Sequence, residues 1–111
     1  MVNKPALDLF PGTLDLLILK ALTSGAKHGY AIAEHLRSIS EDVLQVGESS
    51  LYPALQRLLL NGWVTAEWGA SENNRRARYY AITPNGRKQL RSERDDFDRM
   101  ISAIQKVLRA T

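Results

Sequence analysis

A chain of 111 residues with 15 lysines and arginines, 12 aspartates and glutamates and no cysteine reads as one domain carrying a modest charge of +3. The missing cysteines exclude disulfides, thiolate catalysis and cysteine-based zinc sites, and 44% hydrophobic with 24% charged residues excludes a disordered chain. The apolar run LDLLILKAL at 14–22 is broken by Asp15 and Lys20, is too short for a bilayer and lacks a basic leader, so no membrane segment and a cytoplasmic location are expected.

Residues 1–12 contain Pro5 and Pro11-Gly12 and read as an irregular lead-in. Thr13 is the predicted N-cap of a first helix reaching about Thr23, with Asp15 suited to the positive end of its dipole. Its apolar residues, among them Leu14, Leu17, Ile18 and Leu22, run nearly all the way round, so the helix must be covered on more than one side. Either a partner subunit or the other helices of the chain can supply that cover. Ser24-Gly25 ends the helix. A second helix is predicted from about His28 to Ser38, with Tyr30, Ile32, Ala33, Leu36 and Ile39 spaced to face a core. His28 and His35 lie seven apart with no carboxylate completing a set, so neither reads as a metal ligand. Ser40–Gly47 is a connector, with Val43 and Val46 expected to tuck beneath it.

The stretch Glu48–Val64 organises the chain. At about 100° per residue Leu51, Leu55, Leu58 and Leu59 fall on one side of a third helix. Ser49, Tyr52, Pro53, Gln56 and Arg57 fall on the other, and Ser50 at its start belongs to the same candidate surface. A hydroxyl, a phenol, an amide and a guanidinium near one helix N-terminus are an unusual mix for a merely solvated face. These are groups that read base edges, and recognition helices present them from this end. The competing reading is an ordinary surface helix whose Tyr52 half-packs on the core. A start at Ser49 or Ser50 is predicted. With Ser50 as N-cap, Pro53 stands at the third helical position, where an N–H would be unpaired anyway. Asn61-Gly62 supplies a left-handed stop.

A hairpin follows. Val64, Ala66 and Trp68 alternate in the first strand, Ala70–Asn74 turns, and RARYYAIT at 76–83 pairs back with Tyr80 and Ile82 facing the core. Its tip is expected to carry Arg75, Arg76 and Arg78 beside the third helix, where they would clamp phosphate or probe a minor groove. From Arg75 to Arg94 there are seven basic residues against Glu93 alone, a local strip that suggests a polyanion partner better than net charge does. Thr83 at N-cap and Pro84 at N1 begin a last helix that runs to about Arg109. Leu90, Phe97, Ile101, Ile104 and Leu108 fall on a and d positions of a heptad, Arg94 interrupts them, and Met100 and Val107 widen the stripe. Such a helix suits docking on another subunit; the alternative is a C-terminal helix folded onto its own domain.

The order helix, helix, helix, wing, long helix resembles the PadR family of bacterial transcriptional regulators. GTLDLLILKAL, HGYAIAEHL, SSLYPALQRLLLNGWV and RRARYYAITPNGRKQL carry the resemblance, which spans about residues 12–108. It implies a mainly α fold with a small β-hairpin, in which 13–83 form a DNA-binding winged helix and 84–109 a dimerisation helix within one domain, 1–111. It further implies a homodimer on a pseudo-palindromic operator, repression of transcription, and release by a small-molecule inducer or another signal. The last helix of one subunit would pack on the first helix of its partner. A ligand pocket at the dimer centre would be lined by Phe97, Met100, Ile101 and Asp15, with Asp8 and Asp98 nearby. Phe97 stands where drug-binding relatives often place Trp, and a smaller ring stacks less well on a flat ligand.

The competing function class is a winged-helix module that binds protein and not DNA. Three clustered arginines, Arg75, Arg76 and Arg78, distinguish the two, because a protein-binding wing has no need of them. No nucleophile–base spacing, phosphate-cradling loop or cofactor motif points to an enzyme.

Overall fold

The computed structural model describes residues 12–111; the lead-in, including Pro5 and Asp8, lies outside the described residues. Four helices and a small sheet follow in the order α1 (Thr13–Ala21), β1 (Lys27–His28), α2 (Gly29–Ile39), α3 (Glu48–Leu60), β2 (Val64–Ala70), β3 (Arg76–Ile82) and α4 (Pro84–Arg109), with a 3-10 turn at Leu22–Ser24 after α1. The mainly α fold with a small β wing agrees with the sequence reading.

α1 is the centre of the molecule and packs against α2, α3 and α4. Leu14, Leu16, Ile18, Leu19 and Ala21 are all buried. The chain's own elements therefore cover most of the encircling apolar surface, with Leu17 left partly open. The chain enters α1 through Gly12 at φ 85, a conformation that β-carbons disfavour, so Gly12 is the N-cap and Thr13 the first helical residue.

α2 buries Ile32 and Leu36, but Tyr30 is 70% and Ile39 72% exposed, against expectation. Tyr30 stands two residues before Ile32, on the opposite side of the helix, and Ile39 lies in the last turn, beyond the reach of the core. Val43 is half exposed because Glu41 and Asp42, both left-handed, carry the chain outwards before Val46 returns to pack on the core.

α3 begins at Glu48, earlier than predicted, with Gly47 as N-cap. Pro53 then lies inside the helix and cannot donate to the Ser49 carbonyl. Ser49 is on the exposed side, where solvent can satisfy that oxygen, while the early start gives Glu48 the positive end of the dipole. Leu51, Ala54, Leu55 and Leu58 form the buried face. Gly62 at φ 73 stops the helix as expected.

The sheet has three antiparallel strands in the order β1-β3-β2, one more than the hairpin predicted. Lys27 and His28 pair with Tyr80 and Tyr79, which ties the start of α2 to the wing. The register Val64↔Ile82, Ala66↔Tyr80, Trp68↔Arg78 and Ala70↔Arg76 sets four cross-strand pairs on one face. Val64 and Tyr80 at its inner end are buried, and the same face runs outwards to Trp68, Arg78 and Arg76. α4 starts as predicted: the Gly86 N–H donates to Thr83 Oγ1 at 3.0 Å, and Pro84 opens the helix. Gly86 and Leu90 anchor its first turns, whereas its second half is exposed on all sides of a single chain.

Candidate nucleic-acid interface

Helix α3 points one polar surface away from the core. Ser49, Ser50, Tyr52, Pro53, Gln56 and Arg57 are all exposed, as the helical period requires once Leu51, Leu55 and Leu58 are buried. They are not equivalent. Tyr52 leans over the first turn of α2: a β-carbon on Gly29 would lie 2.9 Å from its hydroxyl oxygen and 3.1 Å from its ring. The missing side chain at Gly29 thus makes the seat for the phenol, and Tyr52 keeps 47% of its surface exposed.

Arg57 is committed elsewhere. Its Nη2 donates to Asp15 Oδ1 at 2.8 Å and its Nε to Oδ2 at 3.4 Å, a forked contact between α3 and α1. The Asp15 hydrogen bond raises the Arg57 pKa above its ordinary value; slight desolvation opposes it and the carboxylate charge adds to it. The fork occupies the Nε–Nη2 side and leaves the Nη1 end of the half-exposed guanidinium open. Arg57 and Asp15, expected at DNA and at a ligand pocket respectively, hold each other across the domain. Phe97, Met100 and Ile101 lie on the open stripe of α4, 37%, 63% and 37% exposed.

On the wing, the turn is closed by bonds between Ser71 and Arg75 and between Asn74 and Ser71, with Asn74 left-handed. Arg75 sits in this turn. Arg76 and Arg78, expected at the tip, instead stand along β3, and both point to the face that carries Trp68 and Tyr80. The Arg76 guanidinium carbon lies 4.5 Å from the Trp68 ring centroid, and that of Arg78 5.8 Å from the Tyr80 ring. Behind this face the Tyr79 hydroxyl donates to the Ala70 carbonyl at 2.8 Å and stiffens the hairpin.

Between wing and helices runs an open groove of about 1040 Å³. Lys27 and His28 line it from β1, Tyr30 from the start of α2, Tyr52 from α3, and Trp68, Arg76 and Arg78 from the wing. Arg76, Arg78 and Lys27 outweigh Glu34 and Glu72 on its walls, so the groove favours an anion. Sequence reasoning missed Lys27, Tyr30 and Trp68 as wall residues. Only Trp68 left a signal, as an aromatic in a hairpin rich in arginine. His28 is both wall and cap: its Nδ1 accepts the Ala31 N–H at 3.1 Å, so its ring caps α2 and edges against Tyr79 at 5.4 Å. Among the described residues no cluster of metal-ligating side chains occurs.

Three helices and a β wing, with a polar face exposed on α3, define a winged helix-turn-helix protein. The profile of the Transcriptional regulator PadR-like family matches residues 18–92. The chain belongs to that family of transcriptional regulators. Among solved structures, a transcriptional regulator from Clostridium thermocellum is 32% identical, with a TM-score of 0.79 over 86% of this chain and 92% of that one. A PadR family transcriptional regulator from Eggerthella lenta is 26% identical, with a TM-score of 0.75 over 90% of this chain and 85% of that one. An uncharacterised protein from Lysinibacillus sphaericus is 29% identical over 83 residues, 75% of this chain and 76% of its own length.

Proposed function

We propose that this regulator binds a pseudo-palindromic operator as a homodimer in the cytoplasm and represses transcription, with release by a small-molecule inducer. The supporting observation is convergence: α3 exposes a polar face, and its Tyr52 borders one groove with the start of α2 and the arginine face of the wing. α3 would enter the major groove, with Gln56 pairing both edges of an adenine and Tyr52 reaching a phosphate or a thymine methyl. Ser49, Ser50 and Pro53 would lie against the same site. The wing would hold backbone or minor groove through Arg75, Arg76 and Arg78. The alternative, a protein-binding winged helix, leaves that arginine set without a purpose. An inducer cavity bounded by Phe97, Met100 and Ile101 requires the second subunit, because a single chain leaves these side chains on its surface. Asp15 would join it together with its paired Arg57.

Selection of duplexes from a random pool should return a two-fold symmetric motif; a motif without symmetry, or no enrichment, refutes the operator reading. On the selected site Gln56→Ala is expected to cost about 1–3 kcal/mol, with little change on random DNA. Equal losses on both would make Gln56 a positioning residue. Changing Arg75, Arg76 and Arg78 together to Ala should weaken both complexes and flatten the salt dependence by roughly one unit for each phosphate that is no longer neutralised. A salt slope unchanged in this triple variant would remove the wing from DNA.

A further inference from the structure

The wing's arginines differ from Arg57 in what occupies them. Arg57 on α3 is ion-paired with Asp15 through its Nε and Nη2. Arg76 and Arg78 make no ion pair among the described residues, and each lies over an aromatic ring. A ring engages the flat face of a guanidinium and leaves its in-plane N–H donors available. The diagonal register makes this possible: Trp68 stands opposite Arg78, so Arg76, two residues away on the same face, reaches back onto the indole at 4.5 Å. Trp68 itself is 60% exposed, which is not the burial of a core residue. Its position over the groove is therefore unexplained by packing alone.

We propose that Trp68 is a positioning residue for DNA binding, holding the Arg76 guanidinium flat so that its edge meets a backbone phosphate in the groove. This rests on the DNA-binding reading above. An unsupported arginine on a hairpin samples many rotamers and loses them on binding. The indole removes part of that loss beforehand without taking a donor. Tyr80 performs the same service for Arg78 at the longer distance of 5.8 Å, but it is buried and tied to the core, so only Trp68 can be changed without disturbing the fold.

A phosphate contact is independent of sequence, so a fluorescein-labelled random duplex is a sufficient probe. Anisotropy titrations at low salt would compare the full chain with Trp68→Leu, Trp68→Phe, Arg76→Ala and the Trp68→Leu/Arg76→Ala double variant. Trp68→Leu should weaken binding about two- to fivefold, the effect of one exposed cation–π contact, with its melting temperature unchanged. Trp68→Phe should recover most of the affinity. Within the Arg76→Ala background Trp68→Leu should cost nothing more. If the Trp68→Leu penalty persists in full in that background, or if Trp68→Leu binds like wild type, the positioning role is overturned. A wild type that binds no duplex at low salt overturns the DNA-binding reading itself, and this inference with it.

Discussion

Phe97→Asp is expected to convert a dimer into a monomer, or to weaken it at least about a hundredfold, and to remove operator binding with it. Among the described residues α4 is anchored at its beginning, where Gly86 and Leu90 are buried. Beyond that, Phe97, Met100, Ile101, Ile104, Val107 and Leu108 are 37–77% exposed. An apolar stripe of this length on an otherwise solvated helix is covered most economically by a second copy, since a two-fold axis buries the same elements twice. Phe97 and Ile101, the least exposed of the set, mark where the stripe leaves the domain. An unpaired carboxylate in a closed interface costs several kcal/mol, and each 1.4 kcal/mol is about tenfold in affinity. Operator binding follows because two recognition helices must be held about one DNA turn, or a multiple of it, apart. Sedimentation of both proteins at micromolar concentration checks this. A monomeric wild type would sink the dimer claim, and a variant that stays dimeric would place Phe97 outside the interface and outside any inducer cavity.

Gly86→Ala should produce the largest drop in stability of any glycine change in the described chain. A β-carbon at Gly86 would overlap the Trp63 carbonyl oxygen and lie 2.9 Å from its carbon and 2.8 Å from Ile82 Cγ1. Two of these three neighbours are backbone. The Trp63 oxygen also accepts the Thr83 N–H at 3.0 Å, and the Thr83 hydroxyl donates to the Gly62 carbonyl at 2.8 Å, so the backbone cannot retreat without undoing the α4 cap. Overpacking costs typically about 1–3 kcal/mol and more against rigid neighbours, which outweighs the roughly 1 kcal/mol that alanine gains in a helix. A net destabilisation of about 2–3 kcal/mol lowers the Tm by roughly 10 °C or more in a domain of this size. Thermal unfolding followed by circular dichroism measures it. Gly47, at φ −81 with no neighbour nearer than 3.9 Å, is the control: alanine there should cost less than about 1 kcal/mol. Equal melting temperatures for the two variants would refute the clash at Gly86.

Much of the architecture follows from signals that act within a few residues. The leucines of α3 share a face because of the helical period, Gly62 stops that helix by its left-handed backbone, and Thr83-Pro84 starts α4 by cap and fixed φ. The alternation of β2 puts Val64, Ala66 and Trp68 on one face whatever strand lies beside it. Even there, the start of α3 slipped: an interior proline argued for Ser49 or Ser50, yet a carbonyl on the exposed side tolerates the missing bond and Glu48 begins the helix.

Interactions across the chain settled the rest. Arg57 reads as a DNA contact from its place on the outer face of α3, and only the fold pairs its Nε–Nη2 side with Asp15, 42 positions away. β1 is two residues long and exists only because β3 offers them partners. Gly86 looks like an ordinary helix residue until the Trp63 carbonyl lies against it. Tyr30 and Trp68 have the residue types of a core, and only the packed fold turns them to a basic groove. By itself the sequence determined period, caps, stops and the family pattern, because each depends on backbone preferences and hydrogen bonds between near neighbours. The tertiary structure decided which polar edges remain available to DNA, because that depends on which distant side chains reach them first.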